Sequence, residues 1–362
     1  MNKTRLITIL RSHFTLNLAR IKCLSHMIFA ILESRQIQLS AMARLFPADV
    51  QTESAFKRMQ RFLKQVIMPT DQVAHLLLDI LKINPNKKLT LVFDRTNWKF
   101  GKKHINLLCL CVAYRGISIP LFHKKLSRKK KQGNSSCRER KALLNVFLKV
   151  FKKEQIECLL GDREFHGCEW IKWLQEKQIP YVCRLPEKLV NISNENGHFE
   201  KAVHVYQEQK KGTQRYLGLC DIGLTNAYES HITTFRANKF ENSVMLLHSK
   251  NIANPCKKYR DRWQIETTFR ALKRGGFNLE DTHITSSRRL KQLILVLSIA
   301  FCFAYKAGLL FVKAKRIKPK NHGYNSKSFI RYGLDLLFEL FRFKSSKRVL
   351  KIPIGLSQII TL

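Results

Sequence analysis

Two apolar runs in this chain each stop at an aspartate. Leu89-Thr90-Leu91-Val92-Phe93 runs into Asp94, and Cys158-Leu159-Leu160-Gly161 runs into Asp162. Short, nearly continuous apolar runs fit strands covered on both faces, so an acid placed directly after one stands where the strand leaves its sheet. A fold that satisfies both runs needs a sheet in which they are neighbours, with their tips together although 68 residues separate the two acids.

The rest of the chain supplies that sheet. From Asn2 to about Ile83 apolar residues recur at three- and four-residue spacing, the pattern of a small all-helical region. Within it Leu39 to Phe46 reads as a short helix, Pro47 to Gln51 as a turn, and Thr52 as the N-cap of a helix carrying Lys57, Arg58, Arg61 and Lys64. This pair is either a helix-turn-helix that places a basic helix in a DNA groove or an ordinary helical pair with a solvated basic face. After Asn84-Pro85-Asn86 the period changes, and Leu89 to Phe93, His104 to Tyr114 and Ile117 to Phe122 read as strands joined through Gly101 and Arg115-Gly116. A helix from Arg138 to Lys152, a strand Ile156 to Leu160, a helix from Cys168 to Lys177 and a strand Tyr181 to Arg184 follow. That order predicts a ribonuclease-H-like mixed sheet in the α/β class. From Pro186 to about Pro255 short alternating runs (Val203 to Tyr206, Tyr216 to Ile222, His231 to Phe235, Val244 to His248) predict a β-rich insertion. The expected division is a helical DNA-binding domain at 1–85, the first part of the core at 86–186, the insertion at 187–256, the last part of the core at 257–315 and a basic C-terminal segment at 316–362.

Charge narrows the partner. Lys and Arg number 66 against 26 acids, a formal charge of +40 spread from Arg5 to Lys351, which predicts a polyanion and, by its distribution, nucleic acid rather than a membrane surface. Leu293 to Val312 is long enough to cross a bilayer, but Lys306 within it and Arg288, Arg289 and Lys291 before it favour a buried core helix. The 10 cysteines form no CxxC pair and no zinc-finger spacing, and no secretory apolar region can be drawn near the N-terminus, so a reduced, cytoplasmic chain is expected.

Lys258 to Arg274 adds the third acid. At about 100° per residue, Tyr259, Arg262, Glu266 and Lys273 fall at about 0°, 300°, 340° and 320° around a helix, with Arg270 at about 20°. Ile265, Phe269 and Leu272 make the adjoining apolar face. A carboxylate between phosphate-binding groups, joined by Asp94 and Asp162, makes an all-oxygen set suited to Mg²⁺, with Mn²⁺ as a substitute. Two such ions can serve both oxygens of an in-line displacement at phosphorus, which predicts phosphodiester cleavage and transfer. Glu164 and Asp221 remain alternatives to Asp162. Arg163 either contacts phosphate or only tempers the neighbouring acid, and the run Lys124, Lys125, Arg128 to Lys131 either grips DNA or is merely solvated.

The spacing Tyr259-x2-Arg262-x3-Glu266-x6-Lys273 resembles the Y-(2)-R-(3)-E-(6)-K signature of bacterial DDE transposases of the insertion sequence four family, and Asp94 and Asp162 match that family's two aspartates. The resemblance covers about Leu89 to Ile284, and the N-terminal helices match the family's terminal-repeat-binding domain in general character. It implies a mobile-element enzyme: Mg²⁺-dependent cut-and-paste transposition, with Asp94, Asp162 and Glu266 as catalytic metal ligands. Tyr259, Arg262 and Lys273 then contact double-stranded DNA, at the element's terminal inverted repeats or the target, within a homodimer. Arg270, Arg163, Lys57, Arg58 and Arg61 are further candidate DNA contacts, and a nuclease or a non-catalytic DNA binder of the same fold is the alternative. Family members that cut the second strand through a DNA hairpin use a tryptophan in the insertion. This chain has none between Pro186 and Pro255, where Tyr206, Tyr216, Tyr228, Phe235 or Phe240 would have to supply a stacking surface.

Overall fold

The computed structural model describes residues 3–84, 86–127, 133–193, 197–207, 209–239, 242–317, 320–321 and 325–342. Arg128 to Lys131 and Phe240 lie outside the described residues, as does Pro85. Contacts group the chain into two compact units that do not follow sequence order. One comprises Met1–Pro85, Trp98–Ile105 and Thr268–Leu362, and the other Asn86–Asn97 and Asn106–Thr267.

The first unit is helical. It holds α1 (Lys3–His13), α2 (Leu18–Ser34), α3 (Leu39–Ala43), α4 (Thr52–Gln65) and α5 (Thr70–Ile80). Asn17 caps α2 by accepting the Arg20 amide hydrogen bond, and Thr52, expected as the N-cap of α4, is instead its first residue, with Gln51 at the cap.

The second unit is built on the sheet. Its elements are β1 (Leu89–Phe100) and β2 (Lys103–Tyr114), whose ends from Trp98 to Ile105 group with the first unit, then β3 (Ile117–Lys125), α6 (Cys137–Val150), β4 (Ile156–Gly161), α7 (Cys168–Glu176), β5 (Tyr181–Arg184), β6 (Asn191–Ser193), β7 (Phe199–Lys201), β8 (Gln214–Ile222), β9 (Tyr228–Phe235), β10 (Val244–His248) and α8 (Pro255–Tyr259). Next comes α9 (Gln264–Lys273), which starts in the second unit and ends in the first. The first unit then adds α10 (Ser287–Ala314) and α11 (Phe329–Arg342). Helix α10 is buried over 89% of its most apolar stretch and packs on α2, α4, α5 and α11, so it is a core helix of this unit, as its flanking charges predict.

The strands form one sheet in the order β3-β2-β1-β4-β5-β10-β9-β8-β6-β7. β1, β4 and β5 run parallel, with α6 and α7 in the crossovers. This is the mixed α/β, ribonuclease-H-like arrangement expected. Arg115 and Gly116 turn β2 into β3 with φ of 47° and 92°, the left-handed backbone that a two-residue hairpin needs and glycine accepts readily. Helix α6 opens on a capping box between Ser136 and Glu139.

Two readings shift. β1 does not end at Asp94 but continues to Phe100, because buried Thr96 and Trp98 carry on the two-residue alternation. Val203 to Tyr206 is a 3₁₀ turn, not a strand, and its buried residues are Ala202 and Tyr206 rather than an alternating set. The β-rich segment is also continuous with the core, since β10 pairs antiparallel with β5 and carries β9 and β8 behind it. All ten cysteines are unpaired.

Candidate active site

Parallel pairing of β1 with β4 aligns Thr90 with Cys158, Leu91 with Leu159 and Val92 with Leu160. The offset of 68 residues in these pairs is also the separation of Asp94 and Asp162, so the acids stand level just past the paired segment. Gly161 permits the turn that follows. A Cβ there would lie 2.5 Å from Phe165 Cβ, and Phe165 stacks on Phe93, the residue before Asp94, with ring centroids 5.4 Å apart.

Glu266 arrives from the first turn of α9. Between the acids lies Arg262, buried, with Nη2 donating to Glu266 Oε1 at 2.6 Å and Nη1 to Asp94 Oδ2 at 3.5 Å. Its guanidinium also lies over the rings of Tyr259, at 5.7 Å, and Trp263, at 5.5 Å. Burial, the Asp162 charge and, more weakly, the Glu266 charge push the Asp94 carboxyl up to about 7 against the pull of Arg262. Burial likewise raises Asp162, opposed by the Glu164 amide and by Arg262 and Arg95. Tyr259 is pushed up to about 12, chiefly by burial.

The three acids and Arg262 are therefore one electrostatic cluster. Among the described residues no three acid, histidine or cysteine side chains already stand close enough to share an ion. The donor set nevertheless fits a hard divalent cation: all its ligating atoms are carboxylate oxygens, they repel one another, and a guanidinium already acts as the neutralising cation between two of them.

Of the alternatives, Glu164 has both oxygens engaged, by Arg95 and by Ser135, and Asp221 is on β8, lining a cavity of about 850 Å³ with Tyr181, Ser230 and His248. Tyr259 joins the cluster. Arg163 is half-exposed and donates to the buried Glu187 at 3.2 Å. Lys273 and Arg270 belong to the first unit, where Lys273 pairs with Glu280 at 3.2 Å and Arg270 is exposed. On α4, Lys57 and Arg61 are exposed, Lys57 paired with Glu53 at 2.7 Å, while Arg58 donates to the Ala19 carbonyl at 3.3 Å. Of the aromatic candidates, Tyr206 and Tyr228 are buried and Phe235 is half-buried. Tyr216 is exposed and hydrogen-bonded to His231 at 2.6 Å. Residue patterns did not reveal Arg95; the one available signal was that it directly follows Asp94.

No curated protein sequence matches the chain. In structure it is similar to a piggyBac transposase solved by cryo-EM as a synaptic complex with hairpin DNA, at 10% identity and a TM-score of 0.45, covering 99% of this chain and 81% of that one. The sequence model of the transposase DDE domain matches residues 85–303, which include both strand-tip aspartates and the α9 glutamate. Because that match spans more than half of its length, the chain belongs to the DDE transposase family.

Proposed function

We propose that the protein is a cut-and-paste transposase of the insertion sequence four type, acting as a homodimer on the terminal inverted repeats of its own element and on target DNA. The observation that carries this reading is the clustering of Asp94, Asp162 and Glu266 around Arg262, with Asp94 raised to about 7 by its burial and its acidic neighbours. Asp94, Asp162 and Glu266 would hold two Mg²⁺ ions, with Mn²⁺ able to replace them. Bound there, the ions supply the positive charge that activates the attacking oxygen and stabilises the leaving one.

The chain's own residues do the rest. Arg262 offsets the repulsion among the acids, and with a divalent cation held there its guanidinium would be available for a scissile-strand phosphate, the role that the Tyr259-Arg262-Glu266-Lys273 spacing implies. Tyr259, Lys273, Arg270 and Arg163 are further DNA contacts near the cut. Lys57, Arg58 and Arg61 on α4 bind the terminal repeat, with Lys57 and Arg61 the more accessible. The charge of +40 provides the general affinity for DNA and predicts a steep loss of binding with salt. The working site of such a protein is the bacterial nucleoid in the cytoplasm.

The test incubates the protein with Mg²⁺ and end-labelled DNA carrying the element's flanking repeats, resolving nicks, hairpins and joined products. Asp94→Ala should abolish cleavage and leave DNA binding intact. Cleavage without joining marks a nuclease only, and wild-type protein that binds but never cuts marks a non-catalytic relative.

A further inference from the structure

The two aspartates are held in the same way. Asp94 Oδ1 accepts the backbone N–H of Arg95 at 2.7 Å, and Asp162 Oδ1 accepts the backbone N–H of Glu164 at 2.9 Å. The side chains of those same two residues then meet, Arg95 Nε donating to Glu164 Oε2. The pair is largely buried, its side chains 14% and 7% exposed. Everything around it holds it in place. Arg95 also donates to Asn106 Oδ1 at 3.3 Å and Asn134 Oδ1 at 3.0 Å, Glu164 Oε1 accepts from the Ser135 amide at 2.7 Å and from its hydroxyl, and Arg140 donates to Ser135 Oγ at 2.9 Å.

A buried ion pair contributes little net stability over an apolar pair of the same volume, because desolvation offsets the attraction; what it does impose is geometry. Here that geometry runs from one strand tip to the next, since each partner fixes one aspartate rotamer through its own amide and the side chains lock the two tips together. One oxygen of each aspartate is thereby committed to the backbone, and in Asp94 the other, Oδ2, faces Arg262 at 3.5 Å.

We propose that Arg95 and Glu164 are positioning residues, a clamp that sets the spacing and the free-oxygen direction of Asp94 and Asp162. This rests on reading those aspartates as divalent-cation ligands. Neither residue touches the reacting atoms; they act through the aspartates, as partners behind metal ligands generally do.

Titration calorimetry of the full-length protein with Mn²⁺ alone, without DNA, tests this. The main variant is Arg95→Met combined with Glu164→Gln, which removes both charges of the pair at similar volume; Arg140, 4.0 Å from Glu164, loses that carboxylate but keeps its hydrogen bonds to Ser135 and to the His166 carbonyl. Mn²⁺ affinity should fall by about 10- to 100-fold, while the affinity for duplex DNA stays near the wild type. Arg95→Lys, which keeps the charge but loses the planar fork, should fall between the two, and it carries the test if the double variant does not fold. Mn²⁺ affinity within about twofold of wild type, well below the loss usual for such partners, overturns the clamp. Wild-type protein that takes up no Mn²⁺, or Asp94→Asn that takes it up as well as wild type, overturns instead the ligand reading on which the clamp stands.

Discussion

The crossing of α10 with α11 and the acidic tips of β1 and β4 are both places of close approach, and they are made from opposite materials. In the crossing two glycines let backbone meet backbone: a Cβ on Gly308 would lie 1.7 Å from the Phe329 carbonyl oxygen, and one on Gly333 would lie 1.7 Å from that of Ala304. Around them lie buried apolar side chains such as Phe301, Leu334 and Leu337. At the strand tips the approach is between like charges, held by Arg262 and by the Arg95–Glu164 pair. The first arrangement minimises free energy by packing. The second keeps repulsion in the folded chain, which a bound cation would relieve, and stability would then be linked to that ligand.

The largest effect should come from breaking the crossing. Gly308→Ala places a methyl where a carbonyl oxygen sits, so α10 and α11 must separate, at a cost of about 3 kcal/mol or more. The midpoint of urea unfolding reads this directly. An unchanged midpoint would show that the crossing is looser than described.

Asp94→Asn should act in the opposite direction. Its carboxyl rises from 3.8 to about 7, so the folded state takes up a proton that the unfolded chain does not between those values. Stability from this group is therefore full below about pH 4 and is lost as pH climbs through about 7. At pH 8 the neutral amide removes that penalty and should stabilise the metal-free protein by about 2 kcal/mol, with the gain disappearing near pH 4. Melting temperatures of the two proteins across that range decide it; a gain of the same size at both ends sinks the repulsion argument. Gly161→Ala, by contrast, treats the strand tip as a packing problem, since its Cβ meets Phe165 Cβ at 2.5 Å. A loss of about 2 kcal/mol is expected, together with weaker Mn²⁺ binding, because Phe165 lies one residue beyond Glu164.

What was legible in the sequence divides along the same line. Patterns that depend on local period were visible: the apolar runs before Asp94 and Asp162, the helices α6 and α7, and a core helix at α10. Val203 to Tyr206 misled because four residues alternating apolar and polar fit a strand as well as a turn, and only the burial of Ala202 and Tyr206 separates the two. The Arg95–Glu164 pair was out of reach, since it exists only through the register that sets β1 beside β4. For the same reason Glu164 could be weighed as a ligand, although its oxygens are already engaged. The single helix expected from Lys258 to Arg274 is broken: Tyr259 ends α8, Arg262 lies in a 3₁₀ turn over Arg260–Trp263, and only Glu266, Arg270 and Lys273 are on α9, so the 100° wheel did not hold across it, and spacing cannot reveal that the Arg262 guanidinium turns to Glu266 and Asp94. Nor can hydropathy show that chain from both ends of the sequence forms one helical unit.

The smallest effect belongs to the one point where the apolar region resembles the charged one. Lys306 is buried in α10, and burial lowers its ammonium from 10.5 to about 8, with Lys82 and Arg5 adding to the drop and Asp79 opposing it. The unfolded chain thus holds a proton that the folded chain gives up between about pH 8 and 10.5, so stability rises with pH across that window and the penalty is complete below it. Lys306→Met keeps the length of the side chain and discards the charge. At pH 7 it should stabilise by about 1 kcal/mol, with little difference from wild type left at pH 10. Lys306 plays no part in the proposed chemistry, so DNA cleavage should not change. A stabilisation independent of pH would assign the gain to packing, and a destabilisation would mean that the ammonium has a partner worth more than its desolvation, making this segment of α10 a second site where charge is kept for a purpose.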